Sequence, residues 1–560
     1  PNGSFQSINR RYDIVYGDVM LNFNYNINRF DIAATVGWTG RYENMNNIRV
    51  STNGGLVTEN WFDLNASRYT PSSTLQRMEL LKTGYMGTLS LGWDNYLFLE
   101  LTGRQERSST LKDQSFFYPS ANLSFLFTQA FHMPSWWNYG KLRLSYGIVG
   151  NAPETYTANI VYEQGSDNGF TWNTIPSSWG NADIHPEKKY EYEIGLESKF
   201  LNNRLGIDIS YYNNRVKDQI LSTPQPSTSG VKNVLMNVGE VANRGWDISI
   251  SATPILTRDF RWDLTANYGV YKNKVVKLAD GVPYLEILNS GGSGIKIQAV
   301  EGQPMGDIYA QVPQVNENGE YLVSDKGLYL NQTELQKVGN INPAGVGGLF
   351  NSFSYKNVFL DFSIDFRIGG DVINEMNQYA TAVGLTPESL KYRDTEHGGL
   401  SYYYPGDNNS SGIPVQVDPS TGAGPNGEII YHDGIILPGV VASTGERNTR
   451  IIPAGYYYNT TYNWGTEAEQ LTYRHSVFDN SYVKLRELTI GYQFPEKMIS
   501  KLGLGRLSVS VFGRNLFYFY KALKNYDAES SVGTSWANQA TVGSSTTATR
   551  SFGVSLRASF

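Results

Sequence analysis

Residues 551–560 alternate without a break. Phe552, Val554, Leu556, Ala558 and Phe560 fall on one face, and Ser551, Gly553, Ser555, Arg557 and Ser559 on the other. Successive side chains of a strand point to opposite faces, so this period predicts a strand with one apolar and one polar side. The pattern recurs upstream. Tyr190, Tyr192, Ile194, Leu196 and Phe200 oppose Glu191, Glu193, Glu197 and Lys199. A four-residue turn, Leu201-Asn202-Asn203-Arg204, follows, and then Leu205, Ile207, Ile209 and Tyr211 oppose Gly206, Asp208, Ser210 and Tyr212. Followed along the chain, the pattern predicts fifteen strands, near 12–27, 30–42, 80–93, 96–108, 116–129, 139–150, 189–200, 205–221, 238–253, 260–276, 345–356, 358–369, 481–494, 506–517 and 549–560.

Alternation alone fits a water-soluble sandwich as well as a membrane barrel. The connections separate the two. Short ones, near 28–29, 94–95, 130–138, 201–204, 254–259, 357 and 495–505, alternate with long ones, near 43–79, 109–115, 151–188, 222–237, 277–344, 370–480 and 518–548. A compact soluble domain seldom carries structureless loops beyond about 15 residues. Bacterial outer-membrane barrels place short turns on the periplasmic side and long loops outside. The expectation is an all-β chain: a transmembrane antiparallel β-barrel with extracellular loops near 43–79, 151–188, 277–344, 370–480 and 518–548. The last strand then runs inwards and closes on Phe560, an aromatic C-terminal residue of the kind that marks a barrel for assembly. Aromatics at strand ends (Trp93, Tyr96, Trp136, Trp137, Phe260, Trp262, Phe494, Phe517, Tyr518) are placed for interfacial girdles. Single-chain bacterial barrels have an even number of strands. An odd count, with open edges that lipid does not tolerate, implies further strands upstream or on another chain.

Composition agrees. The chain has 39 Tyr, 25 Phe, 11 Trp and 56 Gly, a bias towards strands and turns. It has no apolar run of about 18 residues for a membrane helix, and a mean hydropathy of -0.37 is compatible with a barrel. Net charge is -6 with no basic block, which argues against a nucleic-acid partner. Cysteine is absent, excluding disulfides, thiolate metal sites and Cys nucleophiles. Neither an initiator Met nor a signal peptide stands at Pro1, so the start of an exported protein is expected to lie outside this sequence.

Enzyme signatures are missing: no Gly-x-Ser-x-Gly elbow, phosphate-binding loop or His-Glu-x-x-His. His132, His185, His397, His432 and His475 share no metal-ligand spacing, so no cofactor or metal is assigned. Asn316-Glu-Asn-Gly-Glu320 and Gly406-Asp-Asn-Asn409 could offer oxygen ligands to calcium, though Asn, Asp and Gly equally favour plain turns. The long loops are rich in aromatics, among them Trp61, Phe62, Trp172, Trp179, Tyr402, Tyr403, Tyr404, Tyr456, Tyr457, Tyr458, Trp464 and Trp536. Trp172, Trp179, Tyr403, Tyr457, Trp464 and Trp536 are the candidates for stacking on a substrate or a partner; the simpler reading is that they pack the loops. Lumen-facing charges include Glu191, Glu193, Glu197, Lys199, Asp208, Asp247, Arg261, Asp263, Glu487 and Arg557, either solvated or holding a plug.

Several segments resemble one family. Lys141-Leu-Arg-Leu-Ser-Tyr-Gly-Ile-Val-Gly-Asn151, Pro186-Glu-Lys-Lys-Tyr-Glu-Tyr-Glu-Ile-Gly-Leu196 with Phe200-Leu-Asn-Asn-Arg-Leu205, and Asn237-Val-Gly-Glu-Val-Ala-Asn-Arg-Gly245 are similar to strand and turn motifs of SusC/RagA-type TonB-dependent transporters of Bacteroidetes. So are Gly302-Gln-Pro-Met-Gly306, Ser481-Tyr-Val-Lys-Leu-Arg-Glu-Leu-Thr-Ile-Gly-Tyr492 and Gly513-Arg-Asn-Leu-Phe517. The resemblance runs from about residue 80 to the end. It implies that residues 1–560 supply about strands 8 to 22 of a 22-stranded outer-membrane barrel, with plug and TonB box absent from this chain. It further implies active import of a glycan or oligopeptide, a SusD-like surface lipoprotein as lid, TonB-ExbB-ExbD as energy source, and pairs of such complexes as a compatible assembly. A passive porin, or an adhesive or structural barrel subunit of a larger outer-membrane assembly, is the competing reading. A soluble carbohydrate-binding protein is the other rival, and would need no detergent.

Overall fold

The computed structural model describes residues 3–559 except 113–114, 168–169, 226–227, 229, 291–293, 407–411, 464–471, 531–534 and 544–547. Trp464 and Phe560 therefore lie outside the described residues, as do Asp407, Asn408 and Asn409. Fifteen strands form one sheet in chain order. They are β1 (Gln6–Ile27), β2 (Phe30–Leu56), β3 (Ser67–Trp93), β4 (Leu97–Ser108), β5 (Ser115–Phe125), β6 (Trp137–Asn151), β7 (Glu187–Phe200), β8 (Leu205–Lys217), β9 (Glu240–Leu256), β10 (Phe260–Lys277), β11 (Gly345–Tyr355), β12 (Val358–Ile368), β13 (Tyr482–Gln493), β14 (Arg506–Lys521) and β15 (Ser551–Ser559). Each corresponds to one strand expected from alternation.

One exposed face of these strands is apolar. On β1, Val15, Val19, Leu21, Phe23 and Tyr25 are each about 60% exposed, and on β15 Phe552, Val554 and Leu556 about 70%. A sandwich buries such a face; here every second residue offers it outwards, as a lipid-facing band requires.

The chain divides into two compact units, residues 1–246 with 273–283 and residues 247–272 with 284–560. In the first, β1 and β2 pair from Ile27↔Phe30 outwards across a two-residue turn in which Asn28 adopts φ 53°. The turn between β7 and β8 holds Leu201, Asn202 and Asn203 at φ of 55–62°. Asn tolerates the left-handed region better than other side chains, which is why Asn marks these turns. Aromatic rings line the turn ends: Trp93 lies 6.3 Å from Phe30 and 5.5 Å from Tyr96, and Trp137 lies 5.3 Å from Phe127 and 5.4 Å from Phe200.

The connection expected as a loop at 43–79 is instead mostly strand. β2 and β3 stay paired to Leu56↔Ser67, with bulges near Asn53, and only 57–66 form the tip. Beyond the apolar band the ribbon carries polar residues on both faces (Asn44, Asn46, Asn47, Ser72, Ser73), with apolar ones only scattered among them (Ile48, Val50, Leu75). The hydrophobic period is lost there while the backbone ladder continues, so alternation stops short of the strand ends.

In the second unit, long connections carry secondary structure of their own. Tyr284–Ser290, Ile295–Val300, Asp307–Ala310 and Gln336–Asn340 form a four-stranded sheet. Helices α1 (Glu375–Ala382) and α2 (Ala454–Tyr462) lie between β12 and β13. α1 is capped by Asn374, whose side chain accepts from the Asn377 N–H. Ile295, Ile297, Ile308 and Ile373 are fully buried in a core completed by Tyr473 and Val477. Strands of four to seven residues and helices of two turns leave too short a hydrophobic pattern to be read from sequence. Girdle aromatics recur here as Trp262 stacked on Phe353 at 5.5 Å and Tyr492 against Phe494 at 5.2 Å. Tyr518 departs from the expected girdle. The alternation of β14 puts Phe517 and Phe519 outwards and turns Tyr518 to the polar face, where its hydroxyl donates to Asp527 at 2.7 Å.

Candidate functional site

The candidate site is built from the polar strand faces and the folded loops. The polar faces carry short ion pairs, some between strands and some between alternate residues of one strand. In the first unit, Arg143 of β6 donates to Asp208 of β8 at 2.6 Å and sits 3.6 Å from Glu197 of β7, while Lys189 meets Glu191 at 2.6 Å. A concavity of about 830 Å³ lies along β1 to β7, with Asn24, Asn26, Glu100, Arg143 and Glu193 on its lining. In the second unit, Arg261 meets Asp263 at 2.5 Å and Arg514 meets Glu487 at 3.2 Å. Glu191, Glu197, Asp208, Arg261, Asp263 and Glu487 of the expected lumen charges thus have ion-pair partners. Pairs this exposed contribute little stability, about 0–1 kcal/mol each; they leave a hydrated polar wall.

The loop aromatics divide by burial. Tyr402 and Tyr404 are buried, with Tyr402 stacked on Tyr431 at 5.4 Å and its hydroxyl donating to Asp433 at 3.0 Å. Tyr403, the candidate between them, lies on the opposite strand face and is half-buried. Tyr457 packs against Tyr458 at 5.1 Å and Tyr462 at 6.2 Å, and burial pushes its phenol up to about 12. Tyr458 donates to the Glu388 carbonyl at 2.7 Å, tying α2 to 387–390. Tyr462 stacks on His475 at 4.4 Å. Burial first, and the Arg474 charge second, lower this imidazole to about 4. Each aromatic pair adds about 0.5–1.5 kcal/mol beyond its buried area, so these tyrosines stiffen the loops.

Trp536 is partly exposed beside Gly306, whose φ of 92° and lack of a Cβ admit the indole: a Cβ there would fall 2.8 Å from the ring. In the first unit, Trp172 lies across Gly165 in the hairpin Glu163–Asp167/Phe170–Thr174 and is half-exposed, and Trp179 packs edge-on to Tyr162 at 5.7 Å. Asn316 accepts from the N–H groups of Asn318 and Glu320, so segment 316–320 is a side-chain-stitched turn. Among the described residues, no group of three or more His, Asp or Glu is arranged to hold a metal ion.

Sequence reasoning missed a charged cluster at the end of β13. Lys484 is 1% exposed, and its Nζ donates to Glu529 at 2.5 Å. Arg486 grips the same carboxylate with Nη1 at 2.9 Å and Nη2 at 2.6 Å, and donates through Nε to Asp365 at 2.5 Å. The register explains why Arg486 points there. β12 pairs with β13 at Ser363↔Glu487 and then Ile364↔Leu485, and β14 pairs at Leu485↔Phe517 and then Glu487↔Arg514. Arg486 is skipped by both neighbours, a bulge that re-aims its side chain. The only sequence signal was the pair of basic residues in a strand otherwise alternating normally.

A family model described as "TonB dependent receptor-like, beta-barrel" matches residues 1–314. TonB-dependent receptor P3 of Formosa agariphila is 24% identical over 494 residues, 80% of this chain and 42% of that protein. TonB-dependent receptor SusC of Bacteroides thetaiotaomicron is 30% identical over 247 residues, 40% of this chain and 24% of SusC. Among solved structures, the RagAB peptide transporter superposes with a TM-score of 0.67 at 18% identity, over 93% of this chain and 54% of that one, a likeness of fold. The chain spans less than half the length of these curated relatives.

Proposed function

The chain belongs to the TonB-dependent receptor-like β-barrel family, and from that premise we propose that it forms part of the wall of a SusC-like importer that carries a glycan or oligopeptide across the outer membrane. The outer membrane is its location: the apolar faces of β1 and β15 are solvated by lipid. A SusD-like surface lipoprotein sits over the loops, and TonB with ExbB and ExbD supplies the energy. Cargo binds between lid and loops, passes along the polar strand faces and leaves to the periplasm, with no covalent step.

The observation that supports this reading most is the folded loop layer of the second unit. A passive pore needs only a wall, whereas the cores around Ile295 and Tyr458 give the loops the rigidity that recognition requires. The test is gentle detergent extraction of the full polypeptide followed by native mass spectrometry. The reading predicts a lipidated partner and a bound oligomer of discrete mass. A barrel with neither, conducting ions freely in planar bilayers, would replace it with a channel.

A further inference from the structure

The bulge at Arg486 builds a receptor for a carboxylate, and a residue of the chain itself fills it. Glu529 receives three charge-assisted hydrogen bonds, one from Lys484 and two in parallel from Arg486. A guanidinium fork matched to two oxygens is specific for a planar anion. Charge balance sets the valence. Lys484, Arg486 and the neighbouring Lys521 bring three positive charges, and Asp365, Glu529 and the neighbouring Asp527 three negative ones. With Glu529 withdrawn, one positive charge is left over, so the site accepts one monoanion.

The walls are aromatic. Lys484 lies over the Tyr518 ring at 4.8 Å, and Tyr482 meets Tyr518 edge-on at 5.7 Å. Asn480 Nδ2 donates to the Ala528 carbonyl at 2.9 Å, and both residues are buried, so this bond anchors the segment that carries Glu529. The occupant around which the site is built is a glutamate side chain, a carboxylate on a short flexible stem, which an acidic peptide residue reproduces more fully than a sugar ring does. It is also reachable: the side chains of Glu529 and Arg486 are each 30% exposed, while Lys484 behind them is sealed. A sealed cation is costly when unpaired, so Glu529 can leave only as another anion arrives.

We propose that Lys484 and Arg486 form a subsite for an acidic residue of a peptide cargo, with Glu529 as its built-in competitor. This rests on the importer reading and narrows its cargo class.

The test uses the full-length protein with whatever partner it retains. Binding of two labelled peptides of equal length, one with a central Glu and one with Gln in its place, is measured by fluorescence anisotropy. Glu529→Gln keeps the side-chain shape and removes the competitor's charge. Its affinity for the Glu peptide is expected to rise about tenfold, with the Gln peptide unchanged. Adding Lys484→Met should abolish that gain, and heat-modifiability on gels confirms that each barrel has assembled. Equal affinities of wild type and variant for the Glu peptide, or a shift of the same size for both peptides, would overturn the subsite while leaving import intact. A gain for an oligouronate and none for the Glu peptide would overturn the assignment to peptides. Binding of neither peptide by any variant would overturn the subsite, and import itself would then stand or fall on the partner and bound oligomer seen by native mass spectrometry.

Discussion

At the scale of single residues, the two faces of a strand make opposite demands on the same substitution. Leu556 is 68% exposed on the apolar face of β15, and Ser555 beside it faces the polar side. Leu556→Arg should cost about 2–4 kcal/mol near the membrane midplane and lower the yield of assembled barrel, whereas Ser555→Arg should be mild. Heat-modifiability of the two variants on gels checks this, and equal behaviour would contradict the facing. His475 is a second case. Its folded value of about 4 lies below the ordinary histidine value, because burial and then Arg474 oppose the charge. The folded loop therefore prefers the neutral ring. Its contribution to stability is complete above about pH 6.5 and is lost as pH falls towards 4, as the unfolded chain takes up a proton that the folded chain refuses. Limited proteolysis should find the segment around α2 more easily cut at pH 5 than at pH 7.5. His475→Gln should flatten that dependence.

At the scale of elements, the β7–β8 turn and the β13 bulge store local rules. Asn203 at φ 62° should not tolerate a β-branched residue, and Asn203→Val should cost about 1–2 kcal/mol in urea unfolding of the lipid-reconstituted barrel. The turn was legible because Asn-Asn between two alternating runs has a mechanism behind it. Strand positions were legible for the same kind of reason: a lipid-facing strand repeats its period over about ten residues. The ribbon of β2 and β3 beyond Met45, the four-stranded sheet of 284–340 and both helices were not, because each either mixes polar residues into both faces or is too short to show a period. Among the candidate aromatics, Tyr457 proved part of a packed core, and Tyr403 and Trp172 keep open faces. Sequence alone cannot sort them, since burial depends on partners over 50 residues away, such as Glu388 for Tyr458. The Lys484–Arg486–Glu529 cluster was hidden for a further reason: a bulge breaks the period that assigns faces.

At the scale of the whole molecule, the apolar side of the fifteen strands meets lipid and the polar side meets water. The chain contains no cysteine, so single cysteines can be placed without background. Labelled with an environment-sensitive fluorophore at positions 21–25 of β1 and 552–556 of β15 in outer-membrane vesicles, they report each face directly. The account predicts blue-shifted, lipid-quenched emission at Leu21, Phe23, Tyr25, Phe552, Val554 and Leu556. It predicts quenching by aqueous iodide at Asn22, Asn24, Gly553 and Ser555. Uniform water exposure along both strands, with no period of two, would contradict it.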